Sequence, residues 1–241
     1  MKHFGLIGHP VGHSWSKKIH EECYQANGID ASYELIDLAD IKDFKKLMEN
    51  MDGVNVTIPY KKKVMPLLDW ISDEAKKVGA VNTIVNRNGR LHGYNTDVAG
   101  FRKMASGIEG KQVLILGDGG AAQAVKYVLN EMKCTYKSVS HQEMNEGLIS
   151  ANGYDVVVNT TPLGMFPKVD RCPPLDYDSV QEGTVFLDLV YNPEETEFLR
   201  RGVLHKATAI GGLTMLKEQA HEAIKLFMID KCAVGLKFAD D

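Results

Sequence analysis

A glycine turn between an apolar run and a helical pattern is the feature that most constrains this fold. Gln112–Gly117 is almost wholly apolar and predicts a buried strand, and Ala121–Lys133 has helical periodicity. Between them, Gly117, Gly119 and Ala122 fit the pattern G-x-G-x-x-G/A. In that pattern the glycines allow a tight turn and close approach of a pyrophosphate, and the small last residue lets the helix pack on the strand. This predicts a dinucleotide-binding unit, although a tight turn that binds nothing would share the pattern.

Short apolar runs alternate with helical patterns along the rest of the chain. Such alternation predicts an α/β fold, with mostly parallel sheets covered by helices. The predicted strands are Lys2–Gly8, Ser32–Asp37, Gly53–Ile58, Thr83–Asn86, Tyr136–Ser140, Asp155–Asn159, Thr184–Asp188 and Lys206–Ile210. The other predicted helices are Lys17–Asn27, Ile41–Glu49, Val64–Trp70, Ser72–Val78, Val98–Ser106 and Leu213–Met228.

Two domains are expected, with a boundary near Asp97. Residues 1–97 and 212–241 are predicted to form one α/β domain, to which the C-terminal helices return. Residues 98–211 are predicted to form a Rossmann-type nucleotide-binding domain. Two chain crossings between domains are typical of a hinge around a cleft.

Composition and cysteine placement narrow the class of protein. Hydrophobic residues make up 44% of the chain and the formal net charge is -4, which argues against a sequence-independent nucleic-acid binder. The four cysteines, at positions 23, 134, 172 and 232, are scattered, so we expect neither disulfides nor a metal site. No apolar run is long enough to span a bilayer. We therefore expect a cytoplasmic protein without membrane or nucleic-acid partners.

Several motifs spread along the chain resemble those of the shikimate dehydrogenases in order and spacing. Each is weakly specific alone, and together they are strong. They are His13-Ser14-Trp15-Ser16, Asn55-Val56-Thr57-Ile58-Pro59-Tyr60-Lys61, Gly79-Ala80-Val81-Asn82-Thr83, Asn95-Thr96-Asp97, the glycine turn, Asp188-Leu189-Val190-Tyr191-Asn192-Pro193 and Met215-Leu216-Lys217-Glu218-Gln219-Ala220.

The resemblance implies a reversible, nicotinamide-dependent reduction of 3-dehydroshikimate to shikimate, in aromatic amino-acid and chorismate biosynthesis. It implies that Lys61 and Asp97 form the catalytic pair. It also implies a set of substrate ligands, with the two serines on the carboxylate and the others, helped by Asp97, on the ring hydroxyls. These ligands are Ser14, Ser16, Thr57, Asn82, Tyr191 and Gln219. His13 is expected to be structural or peripheral.

The chemistry of the pair agrees with this role. Lys61 follows a predicted strand at its carboxyl end, where open α/β sheets place their ligands. An ammonium there would stabilise the oxygen of a ketone as hydride arrives, and would donate the proton. From local sequence alone, Lys61-Lys62-Lys63 fits a solvated helix start better than a catalytic site, and only the preceding motif singles out Lys61. Asp97 fits a helix N-cap equally well.

The cofactor half departs from the family pattern. The predicted cofactor residues are Gly117, Gly119, Gly120, Ala121, Ser140, His141 and Gly212. NADP is expected and NAD is not excluded, because Ser140-His141-Gln142 contains neither an acidic residue nor an arginine. Asp118 would repel a pyrophosphate unless it points to solvent, and the segment between His141 and Asp155 is too short for the usual helix and strand.

These departures leave two alternatives open at this stage. One is an NAD-preferring quinate/shikimate dehydrogenase, which the missing arginine favours. The other is a non-catalytic shikimate-binding paralogue with weak cofactor affinity. The sequence is compatible with a monomer or a homodimer.

Overall fold

The computed structural model describes residues 1–12, 14–229 and 236–238, so His13 and Cys232 lie outside the described residues. The chain is a mixed α/β protein with two compact units. The first comprises the described residues of Met1–Asp97 and Lys217–Asp241, and the second is Val98–Leu216. The last helix, α8 (Leu213–Phe227), starts in the second unit and continues into the first.

The first unit is built on one six-stranded sheet with the strand order β2-β1-β3-β5-β6-β4. The three leading strands are parallel, and the pairs β3–β5 and β5–β6 are antiparallel. The elements in chain order are β1 (Lys2–Gly8), α1 (Ser16–Ala26), β2 (Ala31–Asp37), α2 (Phe44–Met48), β3 (Gly53–Val56), β4 (Trp70–Ile71), α3 (Asp73–Val78), β5 (Thr83–Arg87) and β6 (Arg90–Tyr94).

A two-residue hairpin explains why this sheet is less parallel than the sequence analysis predicted. Asn88 and Gly89 join β5 to β6, with φ of 54° and 84°. A two-residue turn with both φ values positive matches the right-handed twist of paired antiparallel strands. The strand β6 was missed because its run, Arg90–Tyr94, contains only one buried aliphatic side chain, Leu91.

Two layers of apolar side chains cover the sheet of the first unit, and β1 contributes to both. Phe4 and Leu6 belong to a cluster that includes Phe227 of α8, whose ring stacks on Phe4 with centroids 4.4 Å apart. Ile7 belongs to the other cluster, with Phe44 of α2. Phe4 and Leu6 therefore face one side of the sheet and Ile7 the other, because successive side chains of a strand point to opposite faces. The Phe4–Phe227 contact fixes the returning helix to the first unit.

One predicted helix does not form, and another helix was missed. Val64–Trp70 is not an α-helix: it contains a single 3-10 turn at Met65–Leu67, with Pro66 inside it, and the chain then enters β4. Proline lacks the N–H that a continuing helix would need. A helix that was not predicted, α7 (Glu197–Leu204), begins after Thr196, whose hydroxyl accepts a hydrogen bond from the Leu199 N–H.

The second unit contains a five-stranded parallel sheet in the order β13-β12-β10-β7-β8. Numbered within the unit, the order is 2-1-3-4-5 from the β8 edge, one of the two common doubly wound orders. Its elements are α4 (Asp97–Met104), β7 (Gln112–Leu116), α5 (Gly120–Glu131), β8 (Thr135–Val139), α6 (His141–Glu146), β9 (Ile149–Ser150), β10 (Val156–Asn159), β11 (Leu175–Asp176), β12 (Val185–Asp188), α7 and β13 (Thr208–Ile210). The segment expected to lack a helix and a strand holds the short α6 and the two-residue β9, which pairs with β11 outside the main sheet.

None of the helices in the described ranges has both the length and the apolar composition that a membrane span requires.

A buried histidine makes the stability of the first unit sensitive to acid. His20 lies in the core, stacks on Tyr33 with centroids 3.9 Å apart, and places Nδ1 3.1 Å from the Tyr24 hydroxyl. Burial, together with the charge of His221, lowers the pKa of His20 from 6.5 to about 3. The unfolded chain therefore binds a proton at this position across a pH range in which the folded chain does not.

We expect the free energy of unfolding of the first unit to fall as the pH drops from about 6.5 towards 3, by up to about 1.4 kcal/mol per pH unit from this group. His20→Gln should flatten that slope, because the substituted side chain does not titrate. Urea unfolding followed by tryptophan fluorescence reports on this unit, which contains both Trp15 and Trp70. The exposed His3 provides a matched control, His3→Gln. An unchanged slope in His20→Gln would contradict the expectation.

Candidate active site

A close ion pair between a lysine and an aspartate lies at the centre of the candidate site in the first unit. Lys61 Nζ is 2.6 Å from Asp97 Oδ2, and the side chains are 14% and 6% exposed. Asp97 is the first residue of α4, where the positive end of the helix dipole favours a carboxylate. The structure thus brings the two predicted catalytic residues into direct contact.

The amide of Asn82 holds the carboxylate of this pair in place. Asn82 Nδ2 donates to Asp97 Oδ1 at 2.9 Å and to Thr96 Oγ1 at 3.0 Å. Asn82 Oδ1 accepts from the Thr96 backbone N–H at 2.7 Å and from Thr83 Oγ1 at 3.1 Å. Asn82 is only 2% exposed, and both ends of its amide are used within the protein. Its geometry is that of a residue that orients Asp97.

Backbone hydrogen bonds at the strand ends fix the positions of these side chains. The Asn82 carbonyl accepts from the Val56 N–H at the end of β3, and its N–H donates to the Tyr94 carbonyl at the end of β6. The neighbouring Val81 N–H donates to the Lys61 carbonyl at 2.8 Å. The lysine and the asparagine are therefore held by the same piece of backbone.

Polar residues that were not predicted as site residues extend the network into the core. Thr83 Oγ1 lies 3.2 Å from Thr96 Oγ1 and accepts from Asn55 Nδ2 at 3.0 Å. Asn55 Oδ1 in turn accepts from the Tyr33 hydroxyl at 2.8 Å. Asn55 lies in β3, and its side-chain partners, Tyr33 and Thr83, come from β2 and β5. Such partners depend on strand pairing rather than on local sequence.

The remaining predicted substrate ligands of the first unit lie either on helices or in the loops that follow strands. Ser16 is the first residue of α1, and the Ser14 hydroxyl donates to the Ser16 hydroxyl at 3.1 Å. Thr57 follows β3 directly and is half-buried. Gln219 on α8 accepts a long hydrogen bond of 3.5 Å from Thr96 Oγ1, which links it to the Asn82 network.

The two serines, Thr57 and Lys61 lie beyond the carboxyl ends of the neighbouring strands β1 and β3. The first unit's parallel strands run β2-β1-β3, so the chain leaves β1 and β3 in opposite directions along the sheet. In open α/β sheets this switch point opens a crevice at the strand carboxyl ends, and ligands bind there. Thr57 and Lys61 follow β3, and the serines follow β1.

The arrangement can hold a substrate hydroxyl and move its proton. An ammonium has three N–H donors, so Lys61 can bond a substrate oxygen as well as Asp97. The hydrogen bond from the Asn82 amide partly compensates Asp97 for the hydration that it loses on burial. A hydroxyl or ketone oxygen near Lys61 Nζ would receive a charge-assisted hydrogen bond. These are the elements of general acid–base catalysis on an alcohol or a ketone.

The glycine turn of the second unit has the geometry expected of a phosphate-binding loop. Gly117 follows β7 with a φ of 114°, and an added Cβ would lie 2.4 Å from Thr160 Oγ1. Gly119 is the N-cap residue of α5 and is exposed, with open space around the position of a Cβ. Gly120 and Ala121 begin α5, so their N–H groups are at the helix N-terminus. Asp118 is exposed.

The other predicted cofactor residues of the second unit occupy different surroundings. The Ser140 hydroxyl caps α6 in a capping box with Glu143, so it already has a partner, and His141 is exposed as the first helical residue. Gly212 is buried, and an added Cβ would lie 2.5 Å from the Leu189 carbonyl oxygen. Tyr191, predicted as a substrate ligand, belongs to this unit and is half-buried.

A family model, a sequence relative and two solved structures that this chain resembles carry the name of one family. A family model described as the shikimate dehydrogenase substrate binding domain matches residues 6–84. A shikimate dehydrogenase (NADP(+)) of Clostridium beijerinckii is 39% identical over 250 residues, which cover 94% of this chain and 92% of that protein.

Solved structures agree with the sequence matches. The crystal structure of shikimate dehydrogenase 1 from Peptoclostridium difficile has a TM-score of 0.82 and 34% identity, covering 95% of this chain and 92% of that one. The enzyme of Thermus thermophilus, solved in complex with NADP(H) and shikimate, has a TM-score of 0.80 and 32% identity, covering 94% and 93%.

The Asn82 network generates a stability prediction. Asn82→Leu keeps the size of the side chain but leaves the Thr96 N–H and one side of Asp97 without a partner in a buried position. We expect the first unit to lose about 1–3 kcal/mol of unfolding free energy, the usual cost of an unsatisfied buried group. Urea unfolding by tryptophan fluorescence measures this, with Asn50→Ser, at an exposed position of the same unit, as the control. A loss no larger than that of Asn50→Ser would show that the amide contacts contribute little.

Proposed function

The chain belongs to the shikimate dehydrogenase family, and we propose that it catalyses the reversible NADP-dependent reduction of 3-dehydroshikimate to shikimate, a step of aromatic amino-acid and chorismate biosynthesis. The observation that carries this proposal is the 2.6 Å contact between Lys61 Nζ and Asp97 Oδ2 in a nearly buried position. Such a pair is suited to exchanging a proton with a substrate oxygen at a fixed point. The naming of the relatives as NADP(+) enzymes favours NADP over NAD.

Lys61 is proposed to act on the proton of the reacting oxygen. As the ketone becomes an alkoxide, negative charge develops on its oxygen, and the Lys61 ammonium stabilises that charge and donates a proton. In the reverse direction the neutral amine accepts the hydroxyl proton. Asp97 orients the amine and accepts a hydrogen bond from the same substrate hydroxyl. Asn82 keeps Asp97 in the orientation that both tasks need.

Different residues are proposed to bind the carboxylate and the ring hydroxyls of the substrate. Ser14 and Ser16 bind the carboxylate, which their paired hydroxyls and the N-terminus of α1 favour. The ring hydroxyls are bound by Thr57, Tyr191 and Gln219, with Asp97, and by Asn82, which exchanges one of its contacts within the protein for the substrate. In this scheme residues 1–97 and 212–241 form the substrate-binding domain.

Residues 98–211 are proposed to bind the cofactor, which supplies the hydride chemistry when bound. The residues present fit a dinucleotide, because Gly119 leaves open space above the turn and no side chain caps the N-terminus of α5. The proposed contacts are Gly117, Gly119, Gly120 and Ala121, with Ser140, His141 and Gly212 as further contacts.

We also propose that the protein works in the cytoplasm as a monomer or a homodimer. Free thiols at Cys23, Cys134 and Cys172 are typical of a reducing compartment.

Removal of the Lys61 amine tests its role in proton transfer. We expect Lys61→Met to lower kcat for shikimate oxidation by ~10²–10⁴-fold, the range that general acid–base assistance supplies. The dissociation constant of shikimate should change much less. Steady-state assays with NADP and calorimetric titration with shikimate measure the two quantities.

Lys62→Met is the matched control, since Lys62 is the exposed neighbour of Lys61. Its kcat should stay at the wild-type value. A Lys61→Met protein with wild-type kcat would remove Lys61 from the chemistry.

A methyl group on the glycine turn tests the cofactor site. Gly119 has a φ of -70° and open space at the Cβ position, so Gly119→Ala should fold as well as wild type. We expect it to bind NADP about ten-fold more weakly or worse, because the methyl group occupies the space that the pyrophosphate needs. Gly147→Ala, also free of close contacts in this unit, is the control. Unchanged NADP affinity in Gly119→Ala would place the cofactor elsewhere.

A further inference from the structure

A buried carboxylate at the end of β12 joins the loops at the carboxyl edge of the second unit. Asp188 is the last residue of β12 and has no exposed surface. Its Oδ1 accepts hydrogen bonds from Asn159 Nδ2 at 2.9 Å and from the Val190 N–H at 3.0 Å. Its Oδ2 accepts from the Thr196 hydroxyl at 2.6 Å. The mechanism proposed above gives this residue no task.

The contacts of Asp188 reach the loop that follows the neighbouring strand. Asn159 is the last residue of β10 and is paired in register with Asp188. Its Oδ1 accepts from the backbone N–H and the hydroxyl of Thr161, at 3.0 and 2.7 Å. The Thr161 hydroxyl then accepts from the Leu163 N–H at 3.2 Å. The orientation of the Asn159 amide, and with it the shape of this loop, depends on Asp188.

The same loop touches the glycine turn. The Thr160 hydroxyl donates to the Leu116 carbonyl at 2.8 Å, directly before Gly117. The close approach of Thr160 to Gly117 leaves no room for a side chain on that glycine. β7 and β10 are the strands between which the sheet order reverses, where open α/β sheets bind their ligands. The contacts that start at Asp188 therefore end at the edge of the candidate cofactor site.

A carboxylate accepts from all three neighbouring groups at once, as this position requires in the observed arrangement. The three neighbouring groups all donate, so the side chain at position 188 must accept from several directions. An ionised aspartate is an acceptor at both oxygens, whereas an asparagine turns one of them into a donor. Burial raises the pKa of Asp188 to about 6, while the hydrogen bonds from Thr196, Val190 and Asn159 favour the ionised form.

We propose that Asp188 is a positioning residue for the cofactor, whose carboxylate holds residues 160–163 in the shape that NADP binding requires. The inference rests on the proposed function, because it assumes that NADP binds at the carboxyl edge of the second unit. It predicts that weakening the contacts of Asp188 raises the dissociation constant of NADP by a much larger factor than that of shikimate, to which Tyr191, the neighbour of Val190, contributes one proposed contact among several.

The first test is Asp188→Asn, which preserves size and removes the charge. We expect the dissociation constant of NADP, measured by calorimetry on the full chain, to rise about ten-fold, as for the loss of one charge-assisted hydrogen bond. The dissociation constant of shikimate, measured without cofactor, should stay within about two-fold of the wild-type value, which is a small change in binding free energy. Wild-type affinity for NADP would overturn the proposal.

Substitutions at Thr196 provide a second test, which separates loss of the positioning contact from general destabilisation of the fold. Thr196→Val removes the donor to Asp188 Oδ2 and the N-cap of α7, whereas Thr196→Ser retains both. We expect weaker NADP binding in Thr196→Val and recovery in Thr196→Ser. Ser72→Ala removes a comparable N-cap from α3 in the first unit and should leave NADP affinity unchanged. Equal losses in Thr196→Val and Thr196→Ser, or in Thr196→Val and Ser72→Ala, would overturn the proposal.

The outcomes also separate this proposal from the function on which it rests. Wild-type protein that failed to bind NADP would contradict both. Wild-type protein that binds NADP and oxidises shikimate, with variants at 188 and 196 of unchanged NADP affinity, would contradict the positioning role alone.

Discussion

An ammonium and a carboxylate lose their hydration when they are buried, and protein contacts must compensate for that loss. In the first unit the pair is Lys61 and Asp97, with both side chains less than one-sixth exposed. Asp97 is stabilised by Lys61, by the Asn82 amide and by its position at the start of α4. The candidate chemistry depends on this compensation, because a lysine that turned to solvent would have no fixed relation to a substrate oxygen.

Sequence patterns predicted those parts of the fold whose cause is local. The apolar run of β7 and the glycines after it specify a strand, a turn and a helix, and these form as expected. The β5–β6 hairpin was missed although Asn88-Gly89 is a strong turn signal, because the second strand has little apolar alternation. Val64–Trp70 has helical spacing, but Pro66 lies inside its single 3-10 turn and lacks the N–H that a longer helix needs.

The candidate site was predictable only as far as its residues lie in short motifs. Lys61, Asn82 and Asp97 were chosen from the family resemblance, and the structure brings them within hydrogen-bonding distance. Asn55 bonds to Thr83 because β3 and β5 pair in register, which no local pattern reveals. The capping role of Ser140 arises with Glu143 three residues later, a pattern that is visible in the sequence, whereas Ser140 was predicted only as a cofactor contact.

The two units place their polar residues in the same way. Each contains parallel strands whose order reverses between two neighbours, and in each unit polar residues follow the carboxyl ends of those two strands. In the first unit they surround Lys61 and Asp97, and in the second they surround the glycine turn. The buried polar contacts of Asn82 and Asp188 then fix the loops that carry these groups.

Whether Lys61 and Asp97 act as one unit is tested most directly by a double-mutant cycle on kcat for shikimate oxidation. If the amine works only while the carboxylate orients it, Lys61→Met and Asp97→Asn should each remove most of the same contribution. The double variant should then be about as slow as the slower single variant. Losses that multiply in the double variant would show that the two side chains act independently, and would contradict a shared proton-transfer site.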